Sequence, residues 1–140
     1  NNSKPFPKPI LIKISPDLNF KDVDEVITLI KKYNIAGIVA ANSTNKRDGL
    51  KTNINNVKNI GLGGLTGSPV REMSTDMIKY IYQKSSGSIP IIAVGGIMSP
   101  EDAIEKIEAG ASLVQLYTGF VYEGPLLVKR INKAILKKYN

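Results

Sequence analysis

Four short apolar segments alternate with four amphipathic segments along this chain, and this pattern is what most limits the folds it can adopt. The apolar segments are rich in β-branched or small residues, which is typical of β-strands; they span residues 10–15, 36–42, 89–94 and 112–118. The amphipathic segments predict helices over residues 19–34, 74–84, 99–110 and 125–138. Strands that alternate with helices predict a parallel sheet.

Two of these helices carry explicit boundary signals. Asn19 is predicted to cap the first helix, because its side chain can accept a backbone hydrogen bond there. Ser99, followed by Pro100 and by Asp102 three positions later, predicts the start of the third helix, and Gly110 predicts its end.

The architecture predicted from these units is half of a (β/α)₈ TIM barrel, an α/β fold. The chain lacks the GxGxxG opening of a dinucleotide-binding sheet, and a small four-stranded doubly wound domain remains the alternative. Residues 1–9 are polar and proline-rich, as linkers are, and the chain begins with Asn and not with Met. We therefore expect residues 1–140 to be a piece of a longer protein.

Composition excludes several classes of site. The chain has neither cysteine nor histidine, so thiolate and imidazole metal ligands are absent and no metal site is predicted. The net charge is +7, but the lysines are scattered and no aromatic platform accompanies them. We therefore interpret them as solvated helix faces and expect no nucleic-acid partner. No apolar run has the length of a membrane span, and no secretory signal is recognisable.

A polar, glycine-rich segment over residues 43–72 interrupts the alternation. Segments of this length within a compact domain are usually functional or disordered. We predict a long active-site loop here.

The stretch "IPIIAVGGIMSPEDAIEKIEAG" places Gly95 and Gly96 where the third strand ends, and the fourth strand ends in Tyr117-Thr118-Gly119. In (β/α)₈ barrels the loops after the last two strands often bind phosphate with backbone amides, and glycine permits a close approach. Thr118 adds a hydroxyl. An ordinary tight turn explains the glycine pair equally well.

Polar residues also mark the first two strands. Lys13 lies within the first strand, where it either points into the mouth of a barrel or is a snorkelling edge lysine. Asn42 and Ser43 follow the second strand, where they either hold a planar ligand or form a turn. Together with the glycine pair, these residues favour a site for a nucleotide-like cofactor.

Several motifs resemble those of class 2 dihydroorotate dehydrogenases, in the same order: "IKISPDL", "NSTNKRDGL", "GLGGLTGSPVREMST", the stretch from Ile89 to Thr118, and Gly124-Pro125. The resemblance runs from about Ile10 to the last helix. It implies that the chain supplies the last four β/α units of a barrel that binds FMN. Such enzymes oxidise dihydroorotate to orotate in pyrimidine biosynthesis, with a quinone as electron acceptor.

The resemblance also implies roles for ten residues. Eight positions match cofactor-binding ones: Lys13, Ala41, Thr66, Gly67, Gly95, Gly96, Tyr117 and Thr118. Lys13 resembles the lysine beside the N1/O2 edge of the flavin, and Ala41 stands where many members carry a threonine. Asn42 and Ser43 match the pair that binds the pyrimidine, with serine in place of the more usual threonine.

No catalytic residue is predicted within the chain itself, because the resemblance places the serine base upstream. The first half of the barrel is the implied partner, and an N-terminal segment is implied to associate with the bacterial cytoplasmic membrane or the mitochondrial inner membrane. This chain alone is expected to be inactive. Two alternatives stay open: a class 1 enzyme that uses fumarate or NAD, and a non-catalytic half-barrel that binds a phosphorylated ligand.

Overall fold

The computed structural model describes residues 8–140, so most of the predicted lead-in over residues 1–9 lies outside the described residues. Four parallel strands form one sheet in the order β1-β2-β3-β4. The strands are β1 Leu11–Ile14, β2 Gly37–Ala40, β3 Ile91–Val94 and β4 Leu113–Gln115. Each lies within a predicted strand and is shorter than predicted.

The strand order decides between the two predicted architectures. A doubly wound sheet reverses its strand order at a switch point, whereas this sheet proceeds in one direction from β1 to β4. Crossovers between parallel strands are almost always right-handed, so successive steps in one direction place the connecting helices on the same face of the sheet. This is the arrangement of a barrel wall, and the barrel-type prediction is confirmed.

Six helices are present in the described residues. They are α1 Phe20–Lys32, α2 Ile54–Ile60, α3 Arg71–Ser85, α4 Pro100–Glu108, α5 Thr118–Glu123 and α6 Leu126–Tyr139. Four correspond to predicted helices, and the short helices α2 and α5 were not predicted. None of the helices within residues 8–140 combines the length and apolarity needed to cross a bilayer.

The predicted helix boundaries at α1 and α4 are confirmed. The side chain of Asn19 accepts a hydrogen bond from the amide of Asp22 at 3.0 Å. Ser99 accepts from the amide of Asp102 at 3.2 Å, and Asp102 accepts from the amide of Ser99 at 3.0 Å, which completes a capping box. Gly110 follows α4 with a φ of 109°, a conformation that favours glycine.

The segment over residues 43–72 has more regular structure than the predicted loop. It contains α2, a 3₁₀ turn over Ser68–Val70 and the start of α3. We call the segment over residues 43–72 the excursion. Within it, Thr44 and Leu65 exchange two backbone hydrogen bonds, of 3.0 and 2.8 Å, which hold its two ends together. The sequence signal of α2 was weak, since Val57 is its one buried residue.

The core lies between the sheet and the helices. Ile14, Ala40 and Ala93 are neighbours in the strand register, point toward the helices and are buried. Buried side chains of α1 and α3, such as Val23 and Ile78, pack against them. A smaller cluster joins α4 and α6. Complete burial of an isoleucine or valine stabilises a fold by about 1.5–3 kcal/mol, so this face supplies much of the folding free energy.

The opposite face of the sheet has no helical cover in the described part of the chain. Leu11 and Leu113 lie at its two edges, with 36% and 62% of their surfaces exposed. Lys13 and Gln115 also point to this side, because side chains alternate along a strand. In a (β/α)₈ barrel this face is the packed interior.

Candidate functional site

A pocket of about 360 Å³ lies at the carboxyl ends of the strands. We call it the strand-end pocket. All ten residues predicted to bind cofactor or substrate line it: Lys13, Ala41, Asn42, Ser43, Thr66, Gly67, Gly95, Gly96, Tyr117 and Thr118. Six further residues complete the lining: Gly64, Val70, Val94, Ile97, Gln115 and Gly119. The ends of the strands and the loops that follow β2, β3 and β4 therefore meet at one cavity.

The electrostatic character of the pocket is simple. Lys13 is the one charged residue in the lining among the described residues, and no carboxylate lines it. Its neighbours Ile12 and Ile14 pack toward the helix side, so Lys13 projects from the opposite face. β1 is also an edge strand of this sheet, so Lys13 is both an edge lysine and a residue of the pocket. The pocket therefore suits an anionic ligand.

The glycine pair after β3 is required by packing within the protein. Gly95 and Gly96 have φ angles of 116° and 74°, in the left-handed region that favours glycine. A Cβ on Gly96 would lie 2.3 Å from the Cα of Arg71, and one on Gly95 would lie 3.3 Å from Ser74. The start of α3 therefore lies on the side to which each Cβ would point. The approach of an anion to the backbone amides of this pair stays a prediction.

The loop over residues 95–99 is held by α4. One carboxylate oxygen of Asp102 accepts hydrogen bonds from the amides of Met98 and Ser99, both at 3.0 Å. The other oxygen pairs with Arg71 at 2.8 Å. Arg71 also pairs with Glu105 at 3.2 Å. Because Asp102 is 7% exposed, it holds the loop from within the protein.

A fully buried lysine lies behind the same loop. Lys106 is 0% exposed, and its ammonium group donates hydrogen bonds to the carbonyl oxygen of Arg71, at 2.7 Å, and to the hydroxyls of Ser74 and Thr75. Burial lowers its pKa to about 8, although the nearby Glu105 opposes this shift. Lys106 was not predicted to have a role. Its spacing of three and four positions from Ala103 and Asp102 places it on the buried stripe of α4.

Hydroxyl and glycine contacts join the other walls of the pocket. The hydroxyl of Thr118 donates to that of Thr66 at 2.9 Å. A Cβ on Gly67 would lie 3.0 Å from the methyl group of Thr118, and one on Gly119 would lie 2.1 Å from the carbonyl oxygen of Ile97. The loops that follow β2, β3 and β4 are thus in direct contact.

The predicted substrate-binding pair extends β2 toward the pocket. The amide of Asn42 donates to the carbonyl oxygen of Ile14 at 2.8 Å, and that of Ala41 donates to Val94 at 2.8 Å. These bonds fix the backbone while the side chain of Asn42 remains exposed. Ser43 packs against Gly64, where a Cβ would lie 2.1 Å from the Ser43 hydroxyl.

Asp17, which follows β1, anchors the excursion after β2. Its carboxylate accepts from the hydroxyl of Thr44 and, at 2.8 Å, from the amide of Asn45. Partial burial raises the pKa of Asp17, but the hydrogen bonds from Asn45 and Thr44 outweigh it, so the pKa is lower than usual. Arg47 adds hydrogen bonds to the carbonyl oxygens of Thr44 and Gly63. Neither Asp17 nor Arg47 was predicted to have this role.

The family model of dihydroorotate dehydrogenase matches residues 2–139. This chain belongs to the dihydroorotate dehydrogenase family. The predicted family resemblance is therefore confirmed. Within residues 8–140 the structure groups no three acidic residues, histidines or cysteines in a way that could hold a metal ion.

Two curated relatives of this dihydroorotate dehydrogenase chain are named as quinone enzymes. The dihydroorotate dehydrogenase (quinone) of Nostoc punctiforme is 54% identical over 135 residues, which cover 94% of this chain and 36% of the relative. That of Christiangramia forsetii is 51% identical over 138 residues, covering 99% of this chain and 39% of the relative. The chain thus spans little more than a third of the length of these relatives.

Solved structures in the dihydroorotate dehydrogenase family share the fold. The crystal structure of DHODH from Eimeria tenella in complex with ferulenol superimposes with a TM-score of 0.83 at 32% identity. The match covers 92% of this chain and 34% of that protein. The ligand-free form of the same enzyme gives a TM-score of 0.82. The four β/α units described above are therefore a segment of the family's barrel.

Proposed function

We propose that this chain forms the C-terminal part of a dihydroorotate dehydrogenase that passes electrons to a quinone, and that the strand-end pocket holds FMN. The convergence of all ten predicted residues on one pocket, with Lys13 as its one charged lining residue among the described residues, carries the proposal. The identity of about half to quinone-dependent relatives supports the choice of acceptor.

The donors of the pocket fit an elongated anion such as FMN. Lys13 lies on β1 and Gly96 follows β3, two strands away. Neighbouring strands are about 4.8 Å apart, so these groups are separated by about 10 Å across the sheet. Within residues 8–140 the amides of Gly95, Gly96 and Thr118 have no backbone acceptor, so they are available to a phosphate group.

Each end of the pocket then has a distinct task. When bound, FMN supplies the acceptor for a hydride from the substrate. Lys13 provides a fixed positive charge where negative charge develops on reduction, and this lowers the barrier electrostatically. The backbone amides of Gly95, Gly96 and Thr118 hold the phosphate at the far end. Thr66, Gly67, Ala41 and Tyr117 line the walls between these ends.

Asn42 and Ser43 are the proposed substrate contacts. Both line the pocket at the end of β2, which lies between β1, the strand of Lys13, and β3, the strand that Gly96 follows. An amide and a hydroxyl can donate to and accept from the polar edge of a dihydropyrimidine. The base that removes the substrate proton is proposed to be a serine outside this chain, so dihydroorotate oxidation needs the complete protein.

The uncovered face of the sheet agrees with the proposal that part of the active site lies outside this chain. Leu11 and Leu113 are exposed at the two edge strands, and open edges favour further strand pairing. We propose that additional β/α units of the same protein pair with β1 and β4 and close the barrel. The N-terminal region of the complete protein is the proposed site of membrane and quinone contact.

The first test uses the full-length protein that contains this chain. Its visible spectrum and the mass of the compound released on denaturation identify the cofactor, and we expect one FMN per polypeptide. Dihydroorotate oxidation is then measured with a quinone, fumarate and NAD as separate acceptors. We expect turnover with the quinone. Turnover confined to fumarate or NAD would contradict the proposed acceptor, and a colourless, inactive protein would favour the phosphorylated-ligand alternative.

A matched pair of variants tests the pocket itself. Lys13→Met removes the charge at the pocket, and we expect a loss of turnover of about 10²–10³-fold, the usual effect of removing one preorganised electrostatic contact. Lys31→Met removes an exposed charge in the last turn of α1 and serves as the control. Equal effects of the two substitutions would contradict the role of Lys13.

A further inference from the structure

Lys106 is a buried charge that the roles described so far leave unexplained. A lysine is almost never fully buried unless it is paired, because transfer of a charge out of water is costly. Lys106 is 0% exposed, yet it does not reach the strand-end pocket. Its pKa of about 8 leaves the amine protonated at neutral pH, with three N–H donors.

All three donors are used, and this determines the direction of the next hydrogen bonds. The ammonium group donates to the carbonyl oxygen of Arg71 and to the hydroxyl of Ser74, both at 2.7 Å, and to the hydroxyl of Thr75. Each hydroxyl therefore accepts from Lys106 and has its own proton left to donate. Thr75 donates to Glu105 at 2.8 Å.

The proton of Ser74 is directed at the loop that lines the pocket. The Ser74 hydroxyl lies 2.9 Å from the carbonyl oxygen of Gly95 and 3.1 Å from that of Arg71. The second oxygen already accepts from Lys106, so the bond to Gly95 is favoured. A buried chain of hydrogen bonds thus runs from Lys106 through Ser74 to Gly95.

This chain sets the orientation of the peptide between Gly95 and Gly96. In a trans peptide the C=O and N–H bonds point in opposite directions. The peptide is trans, and its oxygen points toward α3, so the N–H of Gly96 points away from α3. Gly96 lines the strand-end pocket, and its amide has no backbone acceptor within residues 8–140.

We propose that Lys106 is a positioning residue that acts through Ser74 on the Gly95–Gly96 peptide and thereby aims the amide of Gly96 at the phosphate of the bound cofactor. This inference rests on the proposed function, because it assumes that FMN occupies the pocket. Asp102 fixes the other end of the same loop through Met98 and Ser99. The loop is thus held at one end by Ser74 of α3, which Lys106 supports, and at the other end by Asp102 of α4.

The test measures the phosphate end of the site in the full-length protein, by FMN titration of the apoprotein and by the ³¹P resonance of bound FMN. Lys106→Met and Ser74→Ala each break the chain of hydrogen bonds. We expect each to weaken FMN binding about 10- to 100-fold, the effect of one misdirected hydrogen bond to a charged group, and to shift the ³¹P resonance.

Thr75→Val is the matched control. It removes another hydroxyl that contacts Lys106, but Thr75 makes no hydrogen bond to the glycine loop. We expect its FMN affinity within about threefold of wild type and an unchanged ³¹P resonance, since the relay through Ser74 is intact. Equal effects of Thr75→Val and Ser74→Ala would show a general packing role and overturn the proposal.

The outcomes separate this inference from the proposed function. If the wild-type protein binds no FMN, the proposed function fails. If the wild type binds FMN but Ser74→Ala changes neither its affinity nor the ³¹P resonance, only the positioning role fails. Ser74→Ala removes a single hydroxyl, so it decides the question even if Lys106→Met does not fold.

Discussion

Two walls of the strand-end pocket are built in different ways. The helix-held wall, residues 95–99, is bound from behind by the buried side chains of Asp102 and Ser74, and the buried Lys106 supports Ser74. The excursion wall, residues 61–67, is joined to the fold by the Thr44–Leu65 bridge and by side-chain contacts nearer the surface. Local stability follows buried contacts, so the helix-held wall should open far less often.

The proposed phosphate contacts of Gly95 and Gly96 lie on the helix-held wall, and its construction gives a reason for this position. An anion is held well when its donors are already oriented, and the donors of the helix-held wall are oriented by a buried network. The excursion wall carries Leu62, which is fully exposed, beside Gly61 and Gly63. It is suited to cover a ligand and less suited to fix a charge.

The largest difference between the walls is expected for alanine in place of glycine. Gly96→Ala adds a Cβ at 2.3 Å from the backbone of Arg71, at a φ of 74°. Because backbone cannot move aside as a side chain can, we expect the free energy of unfolding to fall by about 2–5 kcal/mol. Urea denaturation of the full-length protein measures this change.

Gly64→Ala is the matched substitution in the excursion wall. Its Cβ would lie 2.1 Å from the hydroxyl oxygen and 2.5 Å from the Cβ of Ser43, so rotation of the hydroxyl does not relieve the contact and the loop backbone must shift. Because this wall is held by few buried contacts and can move, we expect the free energy of unfolding to fall by only about 1–2 kcal/mol. A loss as large as that of Gly96→Ala would contradict the distinction between the walls.

The second prediction compares the carboxylates that anchor each wall. Asp102→Ala leaves Arg71 and two backbone amides without their buried partner. We therefore expect its free energy of unfolding to fall by about 2–4 kcal/mol. Asp17→Ala removes hydrogen bonds from Thr44 and Asn45 nearer the surface, and we expect a loss of about 1 kcal/mol. Thermal unfolding of both variants ranks them, and the reverse order would refute the comparison.

The third prediction concerns alkaline pH. Lys106 has a pKa of about 8 in the fold, below its ordinary value of 10.5, so between these values the unfolded chain binds more protons. The free energy of unfolding should therefore rise with pH across this window, by about 1–3 kcal/mol relative to Lys106→Met. The charged groups that face Lys106 are Arg71, Asp102, Glu105 and Asp76. If the difference in free energy of unfolding between wild type and Lys106→Met did not change with pH, this would contradict the burial of a charged lysine.

The smallest effect is expected at acid pH in the excursion wall. The pKa of Asp17 lies below its ordinary value of 3.8 in the fold, so its stabilisation is complete above that value. It is lost as the pH falls through the lower, folded pKa. The free energy of unfolding of the wild type should therefore be about 1 kcal/mol higher than that of Asp17→Asn at pH 6. At low pH the two values should become equal. Urea titrations at several pH values measure the difference, and a constant gap would argue against the two hydrogen bonds.

Local signals in the sequence predicted the parts of the fold that depend on near neighbours. The cap at Asn19 and the capping box of Ser99 and Asp102 each involve residues three positions apart. The short helices α2 and α5 were missed because each buries a single residue, Val57 and Gly119 respectively, and so carries no amphipathic stripe. The early start of α3 at Arg71 was missed because no side chain caps it.

The sequence by itself determined the alternation of strands and helices, the helix caps and, through family motifs, ten residues that line one pocket. These follow from periodicity and from contacts between close neighbours. Only the tertiary structure decided why Gly96 must be glycine and why Lys106 is buried, because the relevant partner, Arg71, lies 25 and 35 positions away in the chain. Contacts of that separation depend on how the helices pack, and no local pattern encodes them.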